Sequence, residues 1–591
     1  MRSWLLACIV LQVIIRTASS SAQRDELKTV DDIVAPPNNL TGSWRLFVDH
    51  SNIGSMENVQ RVNHQFTRHP GNPVITEALL YGTVLPAAVV PAASQQDRYW
   101  MWYSIPDAFA FGIATSADGL VWDRPALCAA GPGCSTGGVC KRCGASWSKE
   151  TALVYDKAHP DMFFTRTNSN SKLGGLCTSL NATRGVPSCC RDTDMSVVYT
   201  PWDTQKTFKM FNFNYGQDKE PAHDADGYYS AHSQDGATFH DDVATNPALP
   251  ASGAGNPNDP SGPENHGDVS NFNFDFHTTD EYFATIKQFF VVNTSTGWTE
   301  PRRSVGVSRT RNYTSWPLPT KAIVVDEIDE SWTKEKPKQG NHTELYGLSA
   351  FAYESAYLGF LWVAHFNDHT DGTIEIELVS STDGVNWTRA PVGPDGQRPS
   401  VLPRGLSPQA STSTAWDGMM VFTPNHPLVE GPEIKLFYEG CSNSHHGGAD
   451  KCGVGIATMR QHGFVSLAHS GGEPGIILTT PIPASSYREG DVRINYRNTS
   501  SAGGTIRVAV LETGSDRATI TGTQQGRAVE DCEPMRGDDL NRSVAWSTGD
   551  RVLPVSSNAS LVLKFELTGD VELFSFSLKT VRGTPTRLCH E

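Results

Sequence analysis

The chain has 591 residues and a formal net charge of −16, from 48 basic and 64 acidic side chains. This acidic balance argues against nucleic acid or an anionic membrane as the partner, and a neutral or cationic ligand suits it better. A chain of this length exceeds one hydrophobic core, so the length predicts more than one domain.

The first 22 residues have the pattern of a secretory signal peptide. Arg2 precedes an apolar stretch from Trp4 to Ile15, and small residues follow as far as Ala22. The stretch is too short to span a membrane, and no later segment reaches the ~20 apolar residues that a span needs. We therefore expect a soluble, secreted protein. Nine Asn-x-Ser/Thr sequons agree with that route: Asn39, Asn181, Asn293, Asn312, Asn341, Asn386, Asn498, Asn541 and Asn558.

One short pattern, Ser-x-Asp-Gly followed by an aromatic residue, recurs along the chain. Full copies begin at Ser116, Ser233 and Ser381, and two weaker copies end at Trp316 and Phe464. Asp-Gly between apolar segments is a strong hairpin signal, because both central residues of the favoured two-residue turn need positive φ. An aromatic-rich strand precedes every copy. The repeating unit is therefore predicted to be two strands, an Asp-Gly hairpin and a further strand.

A repeated antiparallel unit of about four strands that cannot bury its own faces is typical of a β-propeller blade. The five copies predict blades over residues 70–127, 145–245, 265–325, 340–400 and 412–467. The strand from Trp44 to Asp49 is predicted to join the last blade and close the ring. After Leu467, short alternating strands predict a β-sandwich. The predicted fold class is all-β, with a signal peptide at 1–22, a five-bladed β-propeller at 23–467 and a C-terminal β-sandwich at 468–591.

The cysteines fit an oxidising compartment. Without the signal peptide 11 of the 12 remain, and seven of these lie between Cys128 and Cys190 in a Gly/Ser/Pro-rich insertion. Disulfides are predicted there rather than zinc, because the Cys-x-x-Cys pair has no matching second pair. Cys441 and Cys452 bracket a His-rich turn and are predicted to bond to each other. The odd count leaves one thiol free or intermolecular.

Every predicted blade opens with an acidic residue. In a propeller the first strand of each blade lines the central channel, and ligands bind at one mouth of it. Converging carboxylates repel one another, which raises some pKa values and leaves other groups ionised, as an acid and a base at one pH require. Hydrolysis of a glycosidic bond uses such a pair. Capping of turns or pairing with arginine is the alternative role for these acids. In blade order they are Glu77, Glu150, Asp268, Glu344 and Asp417.

Several motifs give the chain a resemblance to the secreted five-bladed propeller proteins of the invertase and arabinanase superfamily of glycoside hydrolases. Within it, the chain is most similar to a large, poorly characterised bacterial group with a C-terminal β-sandwich. The motifs are Leu46-Phe47-Val48-Asp49, His69-Pro70-Gly71-Asn72-Pro73-Val74, Met101-Trp102-Tyr103, Gly267-Asp268-Val269-Ser270-Asn271, Glu344-Leu345-Tyr346-Gly347, Gly463-Phe464-Val465-Ser466-Leu467 and the segment from Glu530 to Asp538. The resemblance covers nearly the whole mature chain apart from the cysteine-rich insertion.

The resemblance implies roles for particular acids. In the superfamily, successive blades supply a nucleophile or base, an orienting Asp and a Glu proton donor. By position, Asp268 resembles the orienting Asp and Glu344 the donor. The Asn-Asp-Pro-Asn signature of the invertases is absent, so Glu77 or Asp417 is predicted to be the base or nucleophile.

Other side chains are candidates for substrate binding. His266 and His342 lie two residues before Asp268 and Glu344, and either histidine orients its acid or belongs to a turn. The remaining candidates are Asp49, Glu150, His446 and Trp416. For His446 a solvated loop position is the alternative, and for Trp416 packing inside a blade is the alternative to stacking on a sugar.

These features predict a glycoside hydrolase that acts on a polysaccharide or oligosaccharide with carboxylate acid/base chemistry. The alternative from another class is a non-catalytic carbohydrate-binding or adhesion protein on the same scaffold. A sialidase-type enzyme fits less well, because its Asp-box places one residue between Asp and Gly. The expected partner is a carbohydrate, with no nucleic acid and no membrane. No metal site and no cofactor are predicted, a structural calcium ion is left open, and the oligomeric state is not predicted.

Overall fold

The computed structural model describes a molecule built almost entirely of β-strands. The residues that it describes are 44–76, 79–91, 93–105, 110–123, 192–214, 227–237, 239–242, 244–250, 266–278, 280–291, 301–331, 342–367, 371–393, 396–405, 415–444, 452–483, 490–501, 503–516, 518–547, 549, 553 and 560–580. Within them the only α-helix is α1 (Glu327–Ser331), and Ala87–Val89 form one 3-10 turn. No helix in these ranges is long and apolar enough to cross a membrane. The predicted all-β class is confirmed for the described part of the chain.

The strands are numbered in chain order. Strands β1 to β5 are Trp44–Leu46, Ile53–Glu57, Val59–Asn63, Thr67–Arg68 and Ile75–Thr76. Strands β6 to β13 are Leu79–Pro86, Tyr99–Ile105, Ala110–Ser116, Asp192–Tyr199, Phe208–Asn214, Gly227–Ser233, His240–Asp241 and Leu249–Pro250. Strands β14 to β22 are His266–Phe274, Tyr282–Val291, Pro301–Thr310, Thr320–Ile323, His342–Tyr353, Ala356–Asn367, Asp371–Ser381, Trp387–Arg389 and Ser400–Leu402. Strands β23 to β35 are Met420–Phe422, Leu428–Glu430, Glu433–Cys441, Cys452–Arg460, Val465–His469, Gly475–Thr479, Ile482–Pro483, Gly490–Asn498, Gly504–Thr513, Ile520–Thr523, Asp538–Ser543, Ser560–Gly569 and Val571–Thr580.

Five antiparallel units occupy the chain from β4 to β26. Unit 1 is β6 to β8, unit 2 is β9 to β13, unit 3 is β14 to β17, unit 4 is β18 to β22, and unit 5 is β23 to β26 with β4 and β5. A single parallel pair, Ile374 with Met420, joins units 4 and 5 into one eleven-stranded sheet.

Hydrogen bonds connect the first strands of neighbouring units. The bonds are Thr83 Oγ1 to Val197 O (3.1 Å), Phe272 N to Ser196 Oγ (3.2 Å), Asn273 Nδ2 to Ala350 O (2.7 Å), Thr423 Oγ1 to Ser349 Oγ (2.8 Å) and Asn425 N to Gly82 O (3.2 Å). These bonds lead from unit 1 through units 2, 3, 4 and 5 back to unit 1. Asn425 is fully buried, and its amide also donates to carbonyls of units 2 and 3. The first strands of units 1 to 4 and the segment just after β23 therefore form a closed cycle around a polar centre.

Two further sheets of six strands each combine the beginning and the end of the described chain. One contains β1, β3, β27, β30, β33 and β35, and the other contains β2, β28, β29, β31, β32 and β34. The predicted closure of the ring by Trp44 to Asp49 is wrong, because β1 pairs with β35. Strands β4 and β5 lie beside β26 instead. A strand of three residues is too short to specify its partner by itself. Tertiary packing therefore determines that β1 pairs with β35 rather than with the last blade.

The recurrent Ser-x-Asp-Gly pattern forms turns, but not the predicted two-residue turn. Only the glycine has positive φ, for example +73° at Gly384, and Ser381 pairs with Trp387 across a five-residue loop. Ser381 Oγ accepts the Gly384 N–H at 2.9 Å, and Asp383 Oδ1 accepts the next two N–H groups. Side-chain oxygens thus satisfy the backbone donors of the turn, as in other Asx and ST turns. The predicted Cys441–Cys452 disulfide is confirmed.

Candidate functional site

Asp268 lies near the start of β14, where the pairing with β15 is interrupted between His266 and Ser270. Lys287 on β15 donates a hydrogen bond to its carboxylate. A Cβ at Gly267 would lie 2.2 Å from Lys287 Cε, so glycine is needed for this approach. Burial raises the pKa of Asp268, but the Lys287 ammonium and the Arg303 guanidinium outweigh it and the pKa is lowered. Asp268 is ionised in this arrangement.

Glu344 lies near the start of β18 and is buried. Arg303 on β16 donates to Glu344 Oε2, and His342 Nε2 lies 3.6 Å from Glu344 Oε1. His342 also stacks on Phe366, with ring centroids 5.2 Å apart. Burial raises the pKa of Glu344, but His342 and Arg303 lower it to about 2. The expectation that neighbouring acids raise this pKa is wrong, because cations rather than acids dominate the surroundings of Glu344.

Tyr346 connects the two carboxylates. Lys287 Nζ lies 4.7 Å and Arg303 Cζ 5.5 Å from the centroid of its ring. Burial raises the pKa of Tyr346, and the carboxylates of Asp268, Asp194 and Glu344 contribute in the same direction. The Tyr346 hydroxyl therefore keeps its proton throughout the physiological range.

Asp194 on β9 is a third carboxylate in this region and was not a candidate in the sequence. It is buried and has a left-handed backbone with φ of +53°. Its charge raises the pKa of both Tyr228 and Tyr346, and burial is the larger cause in each case. Non-glycine residues rarely adopt this conformation, and when they do they are often found at functional sites. We call Asp194, Asp268, Lys287, Arg303, Glu344 and Tyr346 the mouth cluster.

A pattern in the sequence contains a signal for Asp194. Asp194-Met195-Ser196 repeats the spacing of Asp268-Val269-Ser270 at the start of the next unit. Glu150 was predicted to be the opening acid of this blade instead, because the predicted blade begins at residue 145. Lys287 and Arg303 carry no comparable motif, and only the register of β15 and β16 brings them to the carboxylates.

Some of the predicted site residues lie outside the described residues, namely Glu77, Glu150 and His446. The cysteine-rich insertion at 128–190 also lies outside them. His266 is the first residue of β14, and its backbone pairs with Gln288. Their predicted roles remain predictions.

Asp417 is hydrogen-bonded to side chains outside the mouth cluster. Its Oδ2 accepts hydrogen bonds from Arg68 Nε at 2.6 Å and from the Tyr438 hydroxyl at 2.9 Å, and the carboxylate is buried. No hydrogen bond or ion pair between described residues joins it to Glu344. Trp416 packs on Tyr438 with ring centroids 5.5 Å apart, and its indole also lies over glycines of β25 and β26. Both contacts favour a role in holding unit 5 together.

Asp49 is separated from Glu344 along the length of unit 4. Its Oδ2 accepts a hydrogen bond from Ser380 Oγ at 3.0 Å, near the end of β20. Glu344 pairs through Ala364 with Ile374, near the start of the same strand. At about 3.3 Å per residue, the interval from Ile374 to Ser380 spans roughly 20 Å. Asp49 and Glu344 therefore lie at opposite ends of the unit.

One group of potential metal ligands occurs among the described residues: Glu439, Cys441 and Cys452. The two sulfur atoms are bonded to each other, so they are not thiolates and do not hold an ion in this state. The free Cys532 is buried, and burial raises the pKa of its thiol to about 11. The thiol is thus protonated at neutral pH.

No described protein family and no curated protein matches the sequence. Among solved structures, similar chains are glycoside hydrolases. One titled "Glycoside hydrolase" has 12% identity and a TM-score of 0.35, covering 68% of this chain and 92% of the other. A family 43 arabinoxylan arabinofuranohydrolase from Bacillus subtilis has 14% identity and a TM-score of 0.32, with coverages of 87% and 99%. A family 32 β-fructofuranosidase from Bombyx mori has 10% identity and a TM-score of 0.28, with coverages of 87% and 94%. Similarities this weak assign neither a substrate nor a mechanism.

Proposed function

We propose that the protein is a secreted glycoside hydrolase whose active site is the mouth cluster. The observation that carries the proposal is that three carboxylates, Asp194, Asp268 and Glu344, come from the first strands of three successive units. Glycosidic bond hydrolysis uses a pair of carboxylates that flank one sugar, and three carboxylates on the first strands of neighbouring units support this role. The substrate is a polysaccharide or oligosaccharide. The chemistry needs no metal and no cofactor.

We further propose that the five units are the blades of a five-bladed β-propeller and that the two six-stranded sheets form a β-sandwich. The closed cycle of hydrogen bonds among first strands supports the propeller, because each blade contacts two neighbours and the last contacts the first. In such a ring the starts of all first strands lie at one end. The mouth cluster then lies at the entrance of the central channel, where a chain of sugars has access.

Within this site, Asp268 orients the sugar and Asp194 is the base or nucleophile that Glu77 and Asp417 were predicted to be. Asp194 is favoured over Asp417 because the Asp417 carboxylate is engaged by Arg68 and Tyr438, which do not belong to the mouth cluster. Glu77 lies outside the described residues, so its role as base or nucleophile is still a prediction. The Lys287 and Arg303 side chains hold Asp268 and Glu344 as carboxylates and fix the ring of Tyr346 between them.

Glu344 is the proton donor in this proposal, and it has to gain a proton before the bond breaks. In the empty site its pKa of about 2 keeps it ionised. A sugar that fills the site excludes water and adds to the desolvation that already raises this pKa, and a hydroxyl that takes over a hydrogen bond of Arg303 removes part of the opposing effect. The pH dependence of the reaction should therefore report a donor whose pKa differs between the free and the bound enzyme.

The second candidate function is a non-catalytic carbohydrate-binding protein on the same scaffold. The ion pair of Glu344 with Arg303 favours it, because a carboxylate held this way binds sugar hydroxyls well and releases no proton. The two functions make different predictions for one set of variants, so a single experiment separates them.

The experiment compares wild type with Asp194→Asn and Asp417→Asn on a panel of polysaccharides and aryl glycosides, measuring both hydrolysis and binding. If Asp194 is the base or nucleophile, Asp194→Asn loses at least 10²-fold in kcat while sugar binding remains. Asp417→Asn is the matched control and loses stability more than turnover. Binding without hydrolysis by wild type on every substrate would establish the second candidate. Equal turnover by wild type and Asp194→Asn would remove Asp194 from the role.

A further inference from the structure

Four of the nine sequons lie among the described residues, and their geometries differ. Asn312 and Asn386 each follow the third strand of a unit, in the turns after β16 and β20. Asn498 ends β30, and Asn541 lies within β33. Asn312, Asn386 and Asn541 are exposed, whereas Asn498 is half-buried.

The turn at Asn312 leaves the side-chain amide nitrogen of this sequon accessible. The side-chain Oδ1 accepts hydrogen bonds from the Thr314 hydroxyl at 2.9 Å and from the Thr314 N–H at 3.2 Å. The backbone of Asn312 is fixed by Thr310 Oγ1 and by the N–H of Ser315. Because Oδ1 faces Thr314, the amide nitrogen lies on the other side of the group. Among the described hydrogen bonds, none uses this nitrogen.

In the other three described sequons the asparagine amide group is less accessible or less favourably placed. Asn386 Nδ2 donates to Asp383 Oδ2 at 2.7 Å inside the Ser-x-Asp-Gly turn. The hydroxyl of the Asn541 sequon, on Ser543, donates to Asp491 instead of to the amide. Asn498 Oδ1 is buried, and its Nδ2 lies 3.0 Å from the position of a Cβ on Gly503. A sugar on Asn498 would occupy the space in which the turn from Thr499 to Gly504 closes.

Asn312 also lies far from the mouth cluster. Strand β16 carries Arg303 near its start and ends at Thr310, and at about 3.3 Å per residue this interval spans about 23 Å. Asn312 follows beyond that end. A bulky, hydrophilic group at Asn312 therefore leaves the mouth cluster open and covers the opposite end of unit 3.

We propose that Asn312 carries an N-linked glycan and that Asn498 does not. In the modification, Asn312 Nδ2 bonds to C1 of an oligosaccharide held on a lipid diphosphate, and the C1–O bond to the phosphate breaks. The lipid diphosphate leaves with the bonding electrons, and the amide loses one proton. The inference rests on the proposed secretory location of the chain, which brings it to this donor.

The test is expression of the full chain in eukaryotic secretory cells, followed by mapping of peptides before and after enzymatic removal of N-glycans. The expected result is that the Asn312 peptide carries a glycan and shows a mass increase of about 1 Da after enzymatic release, because Asn becomes Asp. The Asn498 peptide is expected to be unmodified. Asn312→Gln and Thr314→Ala should each lose one glycan, whereas Thr314→Ser keeps it and Asn498→Gln changes nothing.

Each outcome decides the proposal. An unmodified Asn312 peptide alongside other modified sequons overturns the assignment and leaves the secretory location intact. A chain without any glycan overturns both. A glycan on Asn498 in folded, secreted protein contradicts the geometric argument. If Asn312→Gln fails to accumulate, the wild-type peptide map and Thr314→Ser decide the question, since neither depends on that variant.

Discussion

Two polar clusters in this protein place carboxylates and basic side chains together, and they differ in how much of their side-chain surface is exposed. The mouth cluster brings three carboxylates to the starts of first strands. The second, which we call the junction cluster, consists of Glu354, His462 and Ser575 and connects units 4 and 5 to the sheet that contains β35. His462 Nε2 lies 3.0 Å from Glu354 Oε1, and its Nδ1 lies 2.8 Å from Ser575 Oγ.

The junction cluster is closed. Its three side chains are at most 5% exposed, and the second oxygen of Glu354 accepts the N–H of Trp44 at 3.2 Å. In the mouth cluster the side chains of Asp268 and Arg303 are 27% and 26% exposed. Both regions contain non-glycine residues with left-handed backbone, at Asp194, Glu354 and His462. Backbone strain alone therefore does not distinguish the two clusters, whereas the partial exposure of Asp268 and Arg303 does.

The largest expected effect belongs to the mouth cluster. Glu344→Gln keeps the shape of the side chain but removes the carboxylate that is proposed to take up and give the proton. General acid catalysis is worth about 10²–10⁴-fold, so we expect a loss of that size in kcat on glycosides with poor leaving groups, and a smaller loss on activated aryl glycosides. Steady-state kinetics on both substrate types measure it. The control is Glu473→Gln, which changes an exposed acid between β27 and β28. Equal losses on the two substrate types would exclude the donor role of Glu344.

The next effect belongs to the junction cluster and concerns stability rather than turnover. His462→Leu leaves the buried Glu354 carboxylate without its histidine partner. Leaving a buried polar group without its hydrogen-bond partner costs about 1–3 kcal/mol, so the free energy of unfolding should fall by that amount while kcat of the surviving folded protein is unchanged. Denaturant unfolding and kinetics on the same samples measure both quantities. A loss of turnover without a loss of stability would place His462 in the catalytic machinery.

Acid should weaken the mouth cluster in a defined pH window. The folded-state pKa of Glu344 is about 2 against an ordinary value of 4.5, so its contribution to stability is complete above pH 4.5 and is lost as the pH falls to 2. The difference of about 2.5 pKa values corresponds to about 3 kcal/mol. We expect the stability gap between wild type and Glu344→Gln to shrink by about that amount between pH 5.5 and pH 2. A gap independent of pH would show that Arg303 and His342 do not hold the carboxylate ionised.

The smallest effect tests the end of unit 4 opposite the mouth cluster. Gly384 and Gly396 both have positive φ. A Cβ on Gly384 would lie 2.7 Å from Arg309 Nη1 and 3.2 Å from the ring of Tyr357, whereas no atom lies within 4 Å of a Cβ on Gly396. Gly396→Ala should cost about 1–2 kcal/mol from the backbone alone, and Gly384→Ala more. Thermal unfolding of the two variants measures the difference. Equal losses would mean that Arg309 and Tyr357 move aside freely.

Much of the strand content was readable in the sequence. The aromatic-rich strands and the Ser-x-Asp-Gly turns are local patterns, and the strands and turns occur where these patterns predict them. The Cys441–Cys452 bond also followed from local spacing. Two predictions were wrong. Trp44 to Leu46 was assigned to the wrong sheet, and the Asp-Gly turns use side-chain caps instead of two residues with positive φ.

The candidate site divides in the same way. Asp268 and Glu344 were found because each opens a strand within a motif, and the structure places both beside Tyr346. Asp194 could have been found from its Asp-x-Ser spacing. Lys287 and Arg303 could not, because each lies inside a strand with no neighbouring motif. The direction of the Glu344 pKa shift depends on Arg303 and His342, so a count of acids alone predicts the wrong sign.

Local elements follow directly from the sequence: strands from alternation and aromatic content, turns from Asp-Gly, and carboxylates at strand starts. Long-range packing sets which strands pair across long intervals, which acids share a site, and which charges surround them. The difference comes from the distance along the chain over which each effect acts. Turn and strand preferences act between residues a few positions apart, whereas pKa shifts and sheet partners depend on groups that folding brings together from distant parts of the chain.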